Sequence, residues 1–281
     1  MPRLGFLRPL NFFFLIILAA SGYFVSAGSL GVTGTLVKVT LSILFLTLAA
    51  NVFSEFYSGK IYRMIKSFYP RPGGKGVSHS VIVSAIFLLS GLVLAYSVSI
   101  YTASLYLLAA FLLSVYLSYL KNVRFIRSIF ISAAASVAVV LGADAAGPSS
   151  AAYFMAVLLF FSNASGDMVK SITEGMKDRA TFLVNLLKNF SSYVKFDENR
   201  TRKTAAASLA VFIILSPVPY AMGLVPLTYL AIITLSSLIA FVALFNLIKD
   251  GKNVAVLSKT DELIKINMLL AIIAFLAGVP V

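Results

Sequence analysis

Residues 51–78 have the sequence NVFSEFYSGKIYRMIKSFYPRPGGKGVS, and this stretch decides the fold because it separates two long apolar runs with polar and basic residues. A hydrocarbon layer does not accommodate such a loop, so the loop must lie at a water face. Within it, Asn51 and Glu55 are four residues apart, which places a carboxamide and a carboxylate on one side of a helix. Because a carboxylate that enters a membrane span is a candidate functional residue, the stretch also marks a candidate site.

The composition supports a membrane protein. The 281 residues are 60% hydrophobic and 12% charged, with a mean hydropathy of +0.97, which leaves too little polar surface for a soluble domain of this size. The net charge of +13 comes from short loops between apolar runs, so membrane topology explains it better than nucleic-acid binding does. Cysteine is absent, which excludes disulfides, thiolate nucleophiles and cysteine metal sites.

Nine apolar runs are long enough to span a bilayer. They comprise residues 10–27, 32–57, 79–99, 101–120, 126–146, 150–169, 204–222, 226–248 and 263–279. The first run follows basic residues but lacks a convincing small-residue cleavage site, so we interpret it as a retained span. The sequence therefore predicts an all-α polytopic membrane protein with nine transmembrane helices, forming a single domain over residues 1–281.

The distribution of basic residues predicts the orientation. Nearly all of the 23 lysines and arginines fall in alternate loops, beginning with the N-terminus. The exception is Lys38, whose long side chain can reach the opposite interface. By the positive-inside rule, the N-terminus and the site-bearing loops lie in the cytoplasm and the C-terminus lies outside the cell membrane.

A second polar stretch, NASGDMVKSITEGMKD, occupies residues 163–178 at the end of the sixth run. At about 100° per residue, its polar side chains fall within an arc of roughly 80° on one helix face. These residues are Asn163, Asp167, Lys170, Glu174 and Asp178. A lipid-facing surface would reject such a stripe, so the stripe is expected to line a protein cavity that is continuous with water. The two polar stretches could face each other across one pocket.

The acids and bases together favour a metal-bound diphosphate. Mg²⁺ prefers a few carboxylates together with phosphate oxygens and retained waters. The predicted metal ligands are Glu55, Asp167, Glu174 and Asp178, and the predicted diphosphate contacts are Asn51, Arg71, Lys75, Lys121 and Lys170. The apolar helices suit a long hydrocarbon tail on the same ligand. Taken alone, Glu55 could instead be an interfacial acid paired with a loop cation, and Asp167 could simply pair with Lys170.

These residues resemble the motifs of the UbiA superfamily of intramembrane prenyltransferases. The superfamily carries NDxxDxxxD after its second helix, where Asn51 and Glu55 match, and KDxxDxxGD after its sixth, where Lys170, Glu174 and Asp178 match. Further resemblances, in the loop after the second helix and elsewhere, are Arg71-Pro72, Gly76, Ser78, Arg8-Pro9, Asn11, Tyr116 and Lys121. The likeness extends over essentially the whole chain.

The resemblance implies nine helices around a central chamber and Mg²⁺-dependent transfer of a polyprenyl group from its diphosphate to a lipophilic acceptor. Within the superfamily, the sequence is most similar to the archaeal branch that makes digeranylgeranylglyceryl phosphate. The implied donor group is therefore geranylgeranyl, and the implied acceptor is the hydroxyl of geranylgeranylglyceryl phosphate, giving an ether. Acceptor contacts are expected at Arg8, Asn11 and Asn163. The implied surroundings are the lipid bilayer, with no nucleic acid, and the oligomeric state stays open.

The sequence departs from the family pattern at three acidic positions. Val52 and Gly59 replace acids of the first motif, and Ser171 replaces the first acid of the second. These replacements remove roughly half of the expected metal ligands. The alternative hypothesis is therefore a non-catalytic relative that binds a prenyl lipid or serves as a membrane assembly subunit. Two structural expectations also follow from the sequence: Gly142 permits close helix packing, and Asp144 is a helix-end residue.

Overall fold

The structure is a computed structural model that describes residues 9–65, 76–115, 124–185, 198–251 and 253–279. Side chains are described throughout these ranges except at 9–13, 54–65, 76–80, 124, 125, 127 and 177–185. The described residues form ten helices and no strand. The helices are α1 (Pro9–Ala27), α2 (Gly34–Ile65), α3 (Gly76–Tyr96), α4 (Ile100–Val115), α5 (Arg124–Ala146), α6 (Ser150–Asn185), α7 (Glu198–Leu215), α8 (Val218–Ala221), α9 (Leu227–Asp250) and α10 (Val254–Ala277).

Helices occur at all nine predicted positions, and the predicted all-α membrane fold is confirmed. Five stretches of the described residues are long and apolar enough to cross a membrane: Gly34–Phe53, Ser128–Ala146, Ser150–Met176, Glu198–Ala221 and Leu227–Asp250. Three shorter apolar helices are Phe14–Ala27, Val81–Tyr96 and Ile100–Val115. The number of nine crossings, the central chamber and the single domain stay predictions.

The last helix begins nine residues earlier than the apolar run that predicted it, at Val254 instead of residue 263. Asn253 caps it, because its side-chain oxygen accepts a hydrogen bond from the Ala255 amide at 2.9 Å. Charged residues follow in the first turns, and Lys265 pairs with Asp261 at 2.6 Å one turn apart. A hydropathy run ends at such charges, whereas the backbone hydrogen bonds of the helix continue through them.

The predicted seventh span divides into α7 and the single turn α8. Pro217 lacks an amide hydrogen and cannot continue the hydrogen-bond pattern of α7. The Ser216 carbonyl at this break accepts a hydrogen bond from the Tyr229 hydroxyl at 2.7 Å. The neighbouring helix α9 therefore supplies a hydrogen-bond donor to this break.

The chain divides into two compact units. Unit 1 comprises Met1–Lys121 and Val137–Ala152, and unit 2 comprises Asn122–Ser136 and Tyr153–Val281.

Glycines bring the backbones of α1 and α5 together in unit 1. A Cβ atom at Gly22 would overlap the Val139 carbonyl, and one at Gly142 would overlap the Ala19 carbonyl. The predicted close packing at Gly142 is thus confirmed. At the end of α5, the Asp144 carboxylate accepts hydrogen bonds from the hydroxyls of Ser99, at 3.2 Å, and Thr102, at 2.8 Å. Asp144 is thus a helix-end residue, as predicted, and its contacts with Ser99 and Thr102 also anchor the start of α4.

Buried aromatic and polar side chains hold α9 and α10 together in unit 2. The rings of Tyr229 and Phe275 lie 4.7 Å apart between centroids, and both residues are almost fully buried. Ser236 on α9 and Asn267 on α10 are completely buried, and their side chains are hydrogen bonded at 2.6 Å. The core of this unit thus contains polar contacts as well as apolar ones.

Candidate functional site

Helix α6 carries the second polar stripe on a continuous helix of 36 residues. At 1.5 Å per residue this helix is about 54 Å long, well beyond the roughly 30 Å of a hydrocarbon core. Four residues of the predicted stripe, Asn163, Asp167, Lys170 and Glu174, are half-buried. Residues on the other side of the helix, including Met168, Val169 and Ile172, are at most 1% exposed. The side of α6 opposite the stripe is therefore buried, whereas the stripe itself is partly exposed.

Asn163, the first residue of the stripe, makes a hydrogen bond to the neighbouring helix α5. Its Nδ2 atom donates a hydrogen bond to the Ser132 hydroxyl of α5 at 3.2 Å. The Ser132 hydroxyl in turn donates to the Ser128 carbonyl at 2.8 Å. Asn163 therefore has a structural role in orienting α6 against α5, and its predicted contact with the acceptor stays a prediction.

The first polar stretch, residues 51–78, begins on α2, which continues to Ile65 without a break. Asn51 and Val52 are half-buried. Because Asn51 and Glu55 are one helical turn apart on this continuous helix, the two residues share a face, as the sequence predicted. The Glu55 side chain lies outside the described residues.

Several predicted site residues cannot be placed in the site. The side chains of Glu55, Asp178, Asn11, Arg8, Arg71, Lys75 and Lys121 lie outside the described residues. The two polar stretches, residues 51–78 and 163–178, belong to different units, so the pocket between them stays a prediction. The assignments to metal, diphosphate and acceptor binding are likewise predictions.

The described carboxylates do not form a complete Mg²⁺ site by themselves. Within the described ranges, no three His, Cys, Asp or Glu residues are close enough together to hold one metal ion. Asp167 and Glu174 are separated by about 10 Å along the axis of α6, so one ion is not expected to bind both. Mg²⁺ needs only one or two carboxylates when phosphate oxygens and waters complete its octahedron. Each of the two half-buried acids therefore fits a metal shared with a diphosphate.

Ser171 occupies an acidic position of the family motif and is 4% exposed. A buried hydroxyl cannot replace a carboxylate as a charged ligand for Mg²⁺. Among the predicted metal ligands, α6 therefore offers only the carboxylates of Asp167, Glu174 and Asp178, and the Asp178 side chain lies outside the described residues.

Sequence reasoning missed a polar cluster beside the stripe. The Asn267 amide of α10 donates to the Ser162 hydroxyl of α6 at 3.0 Å and accepts from the Ser236 hydroxyl of α9 at 2.6 Å. All three residues are completely buried. The available signal was an asparagine inside the last apolar run, since a polar residue within a membrane span needs a partner.

The chain resembles known proteins over nearly its whole length. The family model described as the UbiA prenyltransferase family matches residues 14–273. The chain is 23% identical over 270 residues to a digeranylgeranylglyceryl phosphate synthase from Thermococcus kodakarensis, covering 96% of this chain and 94% of the relative. It is 25% identical over 281 residues to the protein of that name from Methanothrix thermoacetophila, covering 99% of each.

Solved structures share the fold. A structure from work on digeranylgeranylglyceryl phosphate synthase in membranes superposes with a TM-score of 0.77 and 23% identity, covering 96% of this chain and 98% of the other. A UbiA homologue from Archaeoglobus fulgidus bound to GPP and Mg²⁺ gives a TM-score of 0.63 and 19% identity, covering 97% of this chain and 98% of the other. With its polar stripe, its apolar helices and a family match over nearly its entire length, this integral multi-pass membrane protein belongs to the UbiA prenyltransferase family.

Proposed function

We propose that this chain transfers a geranylgeranyl group from geranylgeranyl diphosphate to the hydroxyl of geranylgeranylglyceryl phosphate. Family membership makes it a UbiA-type prenyltransferase, and the names of its full-length relatives support prenyl transfer in archaeal ether-lipid synthesis. The observation that carries the proposal is the half-buried stripe Asp167, Lys170 and Glu174 on a helix whose opposite side is buried. Such a face suits a ligand with a charged head and a hydrocarbon tail.

The reaction breaks one carbon–oxygen bond and forms another. The bond between C1 of the geranylgeranyl group and its diphosphate breaks, and the electron pair leaves with the diphosphate. The acceptor hydroxyl oxygen then bonds to C1, and its proton is released to solvent or to the diphosphate. The products are an ether and diphosphate, so no oxidant or reductant is needed.

The residues of this chain supply charge and position. Asp167 and Glu174 fit the role of metal ligands, and Mg²⁺, when bound, neutralises the diphosphate and stabilises it as a leaving group. Lys170 lies on the same face and would attract the remaining negative charge. The relative solved with GPP and Mg²⁺ supports a diphosphate and magnesium for this chain. We further propose that the N-terminus and the loops that follow the two polar stretches lie at the cytoplasmic face, in agreement with the distribution of basic residues.

The test uses purified full-length protein in lipid nanodiscs with labelled geranylgeranyl diphosphate, geranylgeranylglyceryl phosphate and Mg²⁺. We expect a labelled ether product that depends on both the acceptor and the metal. Parallel reactions with 4-hydroxybenzoate test an aromatic acceptor, and a relative from Thermococcus kodakarensis serves as the positive control. Transfer to the aromatic acid alone would overturn the proposed acceptor.

The replacement of acids at Val52, Gly59 and Ser171 favours a second candidate, a non-catalytic protein that binds prenyl lipid or serves as an assembly subunit. It would bind geranylgeranyl diphosphate with the same affinity in Mg²⁺ and in EDTA, and it would transfer nothing under conditions where the relative is active. A metal-dependent affinity together with turnover would exclude it.

A further inference from the structure

The Asn267 side chain joins three helices of unit 2 at one buried point. Its Nδ2 atom donates to the Ser162 hydroxyl on α6, and its Oδ1 atom accepts from the Ser236 hydroxyl on α9. The Ser236 hydroxyl also lies 2.9 Å from the Asn267 backbone carbonyl. Since a fully buried amide in an apolar helix has no water to bind, these two protein partners determine its orientation.

A second contact between α6 and α10 lies one turn along. A Cβ atom at Gly166 would be 3.1 Å from Ile264 Cγ2, so the two helices approach closely where α6 has no side chain. The contacts Ser162–Asn267 and Gly166–Ile264 are separated by about 6 Å along α6. Together they define both the rotation and the axial position of α6 relative to α10.

The face of α6 that meets α10 lies about a quarter turn from the polar stripe. At 100° per residue, Ser162 and Gly166 are centred roughly 100° from the centre of Asn163, Asp167, Lys170 and Glu174. A helix rotates as a rigid body over two turns, so holding one face holds the other. The bond from Asn163 to Ser132 provides a second tie on the side of the stripe.

Small rotations of α6 would move the stripe by a chemically important distance. Side-chain ends lie about 5 to 6 Å from the helix axis, so a rotation of 20° would displace them by about 2 Å. A misplacement of about 1 Å can reduce a reaction rate by about a hundredfold. The function of the stripe therefore requires a contact that fixes the rotation of α6.

We propose that Asn267 makes this contact. It is a positioning residue that fixes the rotation of α6 through Ser162 and thereby orients Asp167, Lys170 and Glu174 toward the prenyl diphosphate. The part of the proposal in which the stripe binds a diphosphate rests on the proposed function. The part in which Asn267 fixes the rotation of α6 does not, so the two parts have separate tests. Asn267 belongs to neither of the two sequence motifs of the family, and its side-chain hydrogen bonds go to Ser162 and Ser236 instead of to the charged residues of the stripe.

The first test traps the α6–α10 register by disulfide formation. The chain has no cysteine, so the double variant Gly166→Cys/Ile264→Cys introduces the only thiols. The two Cβ positions are 3.9 Å apart, within the range that a disulfide requires, and the Ile264 substitution removes the methyl group that would crowd Gly166. We expect rapid oxidation in this background and oxidation slower by about tenfold or more when Asn267→Leu is added, because disulfide geometry tolerates little displacement.

The matched control for trapping is Ser237→Ala in the same double variant. Ser237 is adjacent to Ser236 on α9, and its hydroxyl is hydrogen bonded to Ser216, at the end of α7, at 2.7 Å. Trapping in this control should match the unsubstituted background. Equal oxidation rates with and without Asn267→Leu would overturn the proposal, whether or not the protein catalyses prenyl transfer.

The second test measures turnover in variants without cysteine. Asn267→Leu and Ser162→Ala should each lower kcat by about tenfold and raise the Mg²⁺ concentration for half-maximal rate, because the acids on α6 are displaced. The control is Ser165→Ala, which is equally buried and loses only a bond within α6, to the Ser162 carbonyl at 2.7 Å.

The result that would contradict a positioning role is a lower thermal stability with unchanged kcat and Mg²⁺ dependence, since this is the signature of a purely structural asparagine. Failure of the proposed function would appear differently, as an inactive unsubstituted protein. In that case the trapping experiment alone decides whether Asn267 sets the position of α6.

Discussion

Two helix contacts of this protein, one in each unit, are built in different ways. In unit 1, α1 and α5 meet through Gly22 and Gly142, where each backbone fits against a carbonyl of the other helix. In unit 2, α6 is tied through side chains, with Asn163 bound to α5 and Ser162 bound to Asn267 of α10. The glycine contact leaves no room for a side chain between α1 and α5, whereas the side-chain ties hold α6 without using the positions of Asp167, Lys170 and Glu174. The second arrangement is therefore suited to a helix that carries chemistry.

The largest expected effect is the loss of packing in unit 1. Gly142→Val would place a branched side chain against the Ala19 carbonyl, and a backbone atom cannot move aside without shifting its helix. We expect a destabilisation of about 3 kcal/mol or more, measured as a lower unfolding midpoint and a smaller monodisperse fraction in detergent. The control is Gly34→Ala, where a Cβ atom meets nothing within 4 Å. An unchanged midpoint for Gly142→Val would show that α1 and α5 are not closely packed.

The next largest effect is on catalysis, at the stripe of unit 2. Glu174→Gln removes a charge but preserves the size of a half-buried side chain. We expect a fall in kcat/KM of about a hundredfold, or about 2.7 kcal/mol, with little change in the unfolding midpoint. Glu262→Gln on the exposed face of α10 should retain full activity. Activity that is indifferent to Glu174→Gln would instead favour the non-catalytic alternative.

Asp144 in unit 1 should give the opposite result to Glu174. Its carboxylate accepts hydrogen bonds from Ser99 and Thr102, so Asp144→Ala removes an acceptor shared by two hydroxyls. We expect a loss of about 2 kcal/mol in the free energy of unfolding with activity retained in the folded fraction. Asp144→Asn keeps an oxygen acceptor and should lose less. A specific loss of turnover in well-folded Asp144→Ala would refute its purely structural role.

The sequence predicted the features that depend on local periodicity. Helix positions followed from apolar runs, the α6 stripe followed from spacing at 100° per residue, and Gly142 followed from its small-residue surroundings. In each case the information lies within one helix. The capped start of α10 was placed too late because hydropathy weighs side chains and ignores the backbone bonds that continue past charged residues.

The features that the sequence did not predict depend on partners distant in the chain. Asn267 and Ser162 are more than a hundred residues apart, and no periodicity relates them. Asn163 was expected to contact the acceptor, which stays a prediction, but the hydrogen bond from its amide to Ser132 on α5 was not foreseen. A polar residue in an apolar run predicts that a hydrogen-bond partner exists, but only the packing of the helices identifies that partner.

The smallest expected effect comes from an interhelical contact that carries no positioning role. Ser237→Ala removes the hydrogen bond to Ser216, but the Ser216 hydroxyl also contacts the Ile213 carbonyl at 2.9 Å and so keeps an acceptor. Interhelical hydrogen bonds in membranes contribute about 0.6 kcal/mol on average, which would lower the unfolding midpoint by only about 1 to 2 °C. Turnover should not change, whereas Ser236→Ala, one residue away, removes a partner of Asn267 and should reduce it. If both substitutions reduced turnover equally, hydrogen bonds throughout unit 2 would contribute alike, and the distinction between ties that position α6 and ties that merely join helices would fail.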